Sequence, residues 1–132
     1  MLRTLLALAG MAALALPAAA QDDPKQLAVK ARTVLRQFCH RCHHGTGSDG
    51  GFDWDVLEHD DLVKTPGYDK PLIVAGKPDE SLLVERAVQR KNMPPRKHPE
   101  QPSERDRETL AKWVKAGAPS FEGTTATARK PV

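Results

Sequence analysis

The chain is poor in the residues from which small proteins build stiff frameworks. It has two cysteines, Cys39 and Cys42, in 132 residues. Two are too few for a network of disulfides. A structural zinc site needs four ligands, typically two Cys pairs or one Cys pair with a spaced His pair. His40, His44, His59 and His98 do not form that His pair after a finger-length loop. Aromatic residues make up only 5% of the chain, so the apolar core is modest. No charge of one sign dominates: the formal net charge is +3. With no basic stripe, helix-turn-helix or zinc-finger spacing, nucleic acid is not an expected partner. A βαβ pattern is missing as well, which argues against a thioredoxin-like dithiol.

Residues 1–20 read as a secretory signal peptide. Arg3 gives a basic start, Leu5 to Leu16 is an apolar run, Pro17 breaks it, and Ala18-Ala19-Ala20 supplies a small-residue cleavage site. The run falls short of the roughly 20 residues of a membrane span, so no stable membrane anchor is expected. The leader places the mature chain in the periplasm or another exported location, where paired cysteines become disulfides or are otherwise consumed.

What the chain does contain is Cys39-His40-Arg41-Cys42-His43. C-x-x-C-H is the spacing of c-type haem attachment. Two thiols three residues apart can add to the two vinyl groups of one haem, and the histidine that follows can bind the iron through a ring nitrogen. A redox thiol pair, a metal site and a plain disulfide are the competing readings; the disulfide leaves His43 without a reason.

The rest reads as helices and loops around that site. Leu27, Ala31, Val34, Leu35 and Phe38 recur at helical steps, so a helix is expected from Pro24 to Phe38 with Asp22 or Asp23 as its cap. His44 to Gly51 reads as a loop, Phe52 to Leu57 as a short helix burying Trp54 and Leu57, and Asp60 to Asp69 as irregular chain. Leu72-Ile73-Val74 is apolar but has no second strand to pair with, so it is expected to be extended loop. A helix capped by Asp79 should run to about Lys91, where Asn92-Met93-Pro94-Pro95 ends it. Ser103-x-x-Asp106 resembles a capping box before a helix carrying Leu110, Trp113 and Val114, with Gly117 as its stop. The expected fold class is all-α: three main helices with long loops wrapped around one covalently attached haem. The expected boundaries are 21–118 for the domain and 119–132 for a disordered tail.

An iron held by His43 needs a second ligand or an open position. Met1 and Met11 leave with the signal peptide, so Met93 is the one thioether of the mature chain. It lies fifty residues beyond His43, enough chain to reach the opposite haem face, and Pro94 and Pro95 stiffen its loop. The alternatives are that Met93 fills core space, or that His98, and after it His59, is the ligand. His40 and His44 read as loop or surface residues. His/Met ligation closes the iron and raises its potential, which suits an electron carrier. A five-coordinate iron would suit a haem enzyme or gas sensor, and a haem-free metal or disulfide module is the third possibility.

These residues together resemble class I cytochromes c, and more narrowly the planctomycete-type cytochrome c domain. The resemblance is carried by Phe38-Cys39-His40-Arg41-Cys42-His43, Ala75-Gly76-Lys77-Pro78-Asp79-Glu80-Ser81-Leu82-Leu83, Met93-Pro94-Pro95 and Leu110-x-x-Trp113-Val114-x-x-Gly117-Ala118. It implies covalent haem c on Cys39 and Cys42, His43 and Met93 as axial ligands, and first and last helices packed together, with Leu110 and Trp113 against Leu35 and Phe38. The family often has Pro where this chain has Ala75.

Charge is unevenly placed. Asp49 to Asp61 holds six acids and no Lys or Arg, whereas Glu85 to Lys97 holds five bases around Met93 against Glu85 alone. That asymmetry suggests a basic rim facing an acidic redox protein, or equally a solvated helix face that balances haem propionates.

Overall fold

The computed structural model describes residues 22–49 and 53–124. The expected signal peptide, and residues 125–132 of the expected tail, lie outside the described residues. Within them the chain is all-helical, with no strand. Three main helices carry the fold: α1 (Pro24–Phe38), a composite α3 (Leu82–Val84, continued by a π turn over Glu85–Gln89) and α4 (Glu104–Lys115). A short α2 (His59–Lys64) and a 3-10 turn (Pro78–Glu80) complete it. No helix among the described residues is long and apolar enough to cross a membrane.

α1 starts and stops where its sequence says it should. The Asp23 carboxylate accepts from the Lys25 amide at 3.3 Å and Pro24 occupies the first turn, where a missing N–H costs nothing. Arg36 in the last turn complements the helix dipole. The apolar stripe Leu27, Ala28, Ala31, Val34 and Leu35 is buried. α4 opens on the expected capping box. The Ser103 hydroxyl accepts from the Asp106 amide at 3.2 Å, and the Asp106 carboxylate accepts from the Ser103 amide at 3.1 Å. Gly117, at φ 95, turns the chain out after it.

α1 and α4 pack on each other, as the resemblance implied. Leu35, Leu110, Trp113 and Val114 are fully buried in one continuous cluster, with Phe38 and Cys39 packed against its edge. Each such aliphatic side chain contributes roughly 1.5–3 kcal/mol on removal from water. Leu72 and Ile73 enter the same cluster from a loop and not from a strand. Their backbone is satisfied without a sheet: Leu83 donates to the Leu72 carbonyl at 3.0 Å, and the buried Ser81 hydroxyl accepts from the Val74 amide at 2.8 Å.

Four expectations need correction. Phe52 to Leu57 is not a short helix in its described part. The Trp54 carbonyl accepts from Gly45, and Val56 donates to His43, so these groups are tied to the preceding loop instead of a helical ladder. Val56 is the fully buried residue there, with Trp54 and Leu57 only partly covered. The helix falls later, at His59–Lys64, inside the stretch expected to be irregular; Asp60 and Asp61 favour its N-terminus. The cap of α3 is Ser81 and not Asp79, because the chain first makes the 3-10 turn; Asp79 instead accepts from the Gln89 side chain at 3.2 Å. Finally, a tail starting at 119 begins too early. Phe121 is buried and stacks on Trp113 with ring centroids 5.3 Å apart, while the Trp113 indole donates to the Pro119 carbonyl at 2.9 Å.

Candidate functional site

The site grows out of the end of α1. The Cys39 amide still donates to Leu35, and one further turn follows, in which Cys42 and His43 both donate to the Cys39 carbonyl at 3.2 and 3.1 Å. That turn brings Cys39, Cys42 and His43 together within one turn of chain. The loop is then stitched back. Asp49 donates to the Cys42 carbonyl at 2.9 Å, Val56 to the His43 carbonyl at 3.2 Å, and His44 pairs with Asp55 as an isolated antiparallel bridge. His43 is thereby held from both sides by backbone.

Residue 93 reaches this place from the other end of the chain. An open cleft of about 280 Å³ is lined by Phe38, Cys39, Cys42, His43, Met93, Pro94, Pro95 and His98, with Arg41 and Glu100 at its polar edge. All four residues singled out for the site, Cys39, Cys42, His43 and Met93, share that one cleft. Met93 is 41% exposed, which removes the reading of it as core filler. Of the two alternative ligands, His98 lines the cleft, whereas His59 does not. The His59 ring packs against Trp113 and Phe121, and its Nε2 lies 2.7 Å from the Ala118 carbonyl oxygen. His40 is a surface residue paired with Asp55 at 3.4 Å, and His44 is exposed beside it.

The electrostatics suit a cofactor held by neutral donors. Burial, the largest cause, pushes the His43 imidazole below its ordinary value; Asp49 opposes this and His44 adds to it. Burial thus favours the neutral ring, the form that binds a metal. Its Nδ1 is buried with no hydrogen-bond partner. An orphaned buried ring nitrogen costs about 1–3 kcal/mol. Both cysteines are free thiols. Burial pushes the Cys39 thiol up to about 12, and burial followed by a hydrogen bond to Asp49 raises Cys42. Among the described residues no three His, Cys, Asp or Glu side chains come together as a metal cage. Two thiols one turn apart, a neutral imidazole and a thioether on one half-apolar cleft fit a haem.

Two features escaped the sequence reading. Trp54 stacks on His43, with centroids 5.0 Å apart and planes 7° from parallel, which fixes the plane of the imidazole; nothing in the spacing of Trp54 announces this. Arg107 is buried and donates to Ala87 and Gln101, on either side of the Met93 loop. Its signal was present: position 107 lies three before Leu110 and seven before Val114, on the apolar stripe of α4.

Comparison with known proteins gives one positive finding. Residues 39–97 match the model of the family described as planctomycete cytochrome C. No curated protein and no solved structure matches the chain.

Proposed function

We propose that the protein, whose residues 39–97 match the planctomycete cytochrome C family model, is an exported mono-haem electron carrier whose iron is ligated by His43 and Met93. The family implies covalent haem c, and Cys39 and Cys42 are the thiols that would hold it. One observation carries the finer reading: residue 93 comes to the same cleft as the C-x-x-C-H turn across fifty residues of chain.

When bound, the haem supplies a one-electron couple. The protein's own residues do the rest. Cys39 and Cys42, free thiols at the end of α1, would hold the group there. His43 presents a neutral ring whose plane is set by Trp54. Met93, on the same cleft as His43, would be the second protein ligand of the iron; a His/Met pair would leave no position for oxygen or a substrate and would raise the potential. Such a centre suits electron transfer between proteins rather than bond-making chemistry.

The partner is an acidic redox protein. Arg41 lies on the cleft, and Arg96 and Lys97 follow Pro95 on exposed chain. No ion pair is found for these three among the described residues, whereas Arg90 and Lys91 are taken by Glu85 and Glu104. Unpaired cations beside the cleft raise the encounter rate with an acidic surface, and the effect weakens with salt.

The test is the holoprotein's optical spectrum and potential in Met93→Ala and His98→Ala. Met93→Ala should lose the far-red sulfur-to-iron charge-transfer band and drop in potential, while His98→Ala keeps both. An unchanged spectrum in Met93→Ala refutes the ligand assignment.

A further inference from the structure

The thioether of Met93 sits on a segment with no helix of its own, between α3 and α4. What holds that segment is specific. At its start the Arg86 carbonyl accepts from both Asn92 and Met93, at 3.0 and 3.3 Å. At its far end the Gln101 amide nitrogen donates to the carbonyls of Pro95 (2.9 Å) and His98 (3.2 Å). Beneath both ends lies the Arg107 guanidinium, which is only 4% exposed. Its Nη1 donates to the carbonyl of Ala87, before the loop, and its Nη2 to the Gln101 side-chain oxygen, after it, at 3.3 Å. No ion pair is found for Arg107 among the described residues. A buried guanidinium is costly, and the fork geometry that bridges two separate acceptors is something a lysine cannot reproduce.

We propose that Arg107 and Gln101 form a strap across the base of the Met93 loop and act as positioning residues for the sulfur. The proposal rests on the reading of Met93 as axial ligand. A thioether is a neutral, weak donor, so its hold on the iron depends on how completely the loop is preorganised around it. When the loop opens, the sulfur leaves and an external ligand can take its place. The affinity of that ligand therefore rises in proportion to the open fraction. Arg107 ties the loop to α3 and α4 at once. Gln101 passes that anchorage on to the backbone on the far side of Met93.

The experiment is a titration of the purified holoprotein with free imidazole, which competes with Met93. Wild type, Met93→Ala, Gln101→Ala, Arg107→Lys and Arg107→Met are compared, and amide exchange is followed over residues 90–102 and over α1. Gln101 is exposed, so its variant folds even if Arg107→Met does not. Met93→Ala should bind imidazole most tightly. Gln101→Ala and Arg107→Lys should each bind it up to about tenfold more tightly than wild type, tenfold being about 1.4 kcal/mol, with faster exchange in the loop and unchanged protection in α1. Wild-type imidazole affinity in both Gln101→Ala and Arg107→Lys, against a tight-binding Met93→Ala, overturns the strap while leaving the ligand intact. Exchange that quickens equally in α1 and the loop overturns it too, since that reports general loosening. Equal affinity in wild type and Met93→Ala removes the ligand assignment and the strap with it.

Discussion

Ending the chain after Ala118 should unfold this domain far more easily than ending it after Thr124. The six residues between them carry a definable set of contacts. Phe121 is 7% exposed, and burying a phenylalanine is worth about 1.5–3 kcal/mol. Its stack on Trp113, at 5.3 Å and 19°, adds about 0.5–1.5 kcal/mol. The Arg32 guanidinium lies 5.9 Å from the Phe121 ring centroid and donates to the Thr124 carbonyl at 3.0 Å. Losing Pro119 also leaves the buried Trp113 indole N–H without its acceptor, a further cost of about 1–3 kcal/mol. These effects share partners and do not add fully, so the expected loss is about 3–5 kcal/mol, or more than about 10 °C in Tm for a domain of this size. The assay is guanidinium unfolding of the holoprotein followed by far-UV circular dichroism, comparing midpoints at constant slope. The chain ending after Thr124 keeps every contact named here. If the chain ending after Ala118 has the same midpoint as the one ending after Thr124, the docking of residues 119–124 is wrong and the domain does stop at Ala118.

Gly67→Ala should destabilise by at least about 2 kcal/mol, because φ is +68° and a Cβ would lie 2.0 Å from the Lys70 carbonyl oxygen. Gly123→Ala, with positive φ but open space, should cost only about 1 kcal/mol by the same midpoint measurement. Glu85 is held below the ordinary carboxylate range, first by its hydrogen bond to Lys70 and then by the charge of Arg90. A lowered carboxyl stabilises the fold above its ordinary value of 4.5 and loses that contribution as the pH falls below it. Glu85→Gln should therefore flatten the acid limb of the stability–pH curve; parallel curves for variant and wild type would rule this out. The double variant Cys39→Ala, Cys42→Ala, unable to hold a haem covalently, should lose much of its far-UV helical signal, since a small core then lacks the apolar surface of the cofactor. A near-native spectrum would count against that dependence.

Sequence by itself determined what a single turn of chain can decide. Asp23, Pro24 and the stripe from Leu27 to Leu35 specify α1 within one turn of each boundary, and Ser103 with Asp106 starts α4 through reciprocal side-chain-to-backbone bonds. Cys39, Cys42 and His43 are adjacent, so the chemistry they offer could be read directly. Tertiary structure decided everything whose partner is remote. Trp54 and Val56 gave their backbone bonds to the loop before them, so the short helix moved to His59. Phe121 found Trp113 and Arg32, which drew a supposed tail into the core. Arg107, whose position on α4 reads as apolar, became a bridge because Ala87 and Gln101 both present acceptors to it. The same division separates the two halves of the site. One half is a local turn. The other is a methionine fifty residues further on, whose place on the same cleft depends on how the helices pack and not on any local turn.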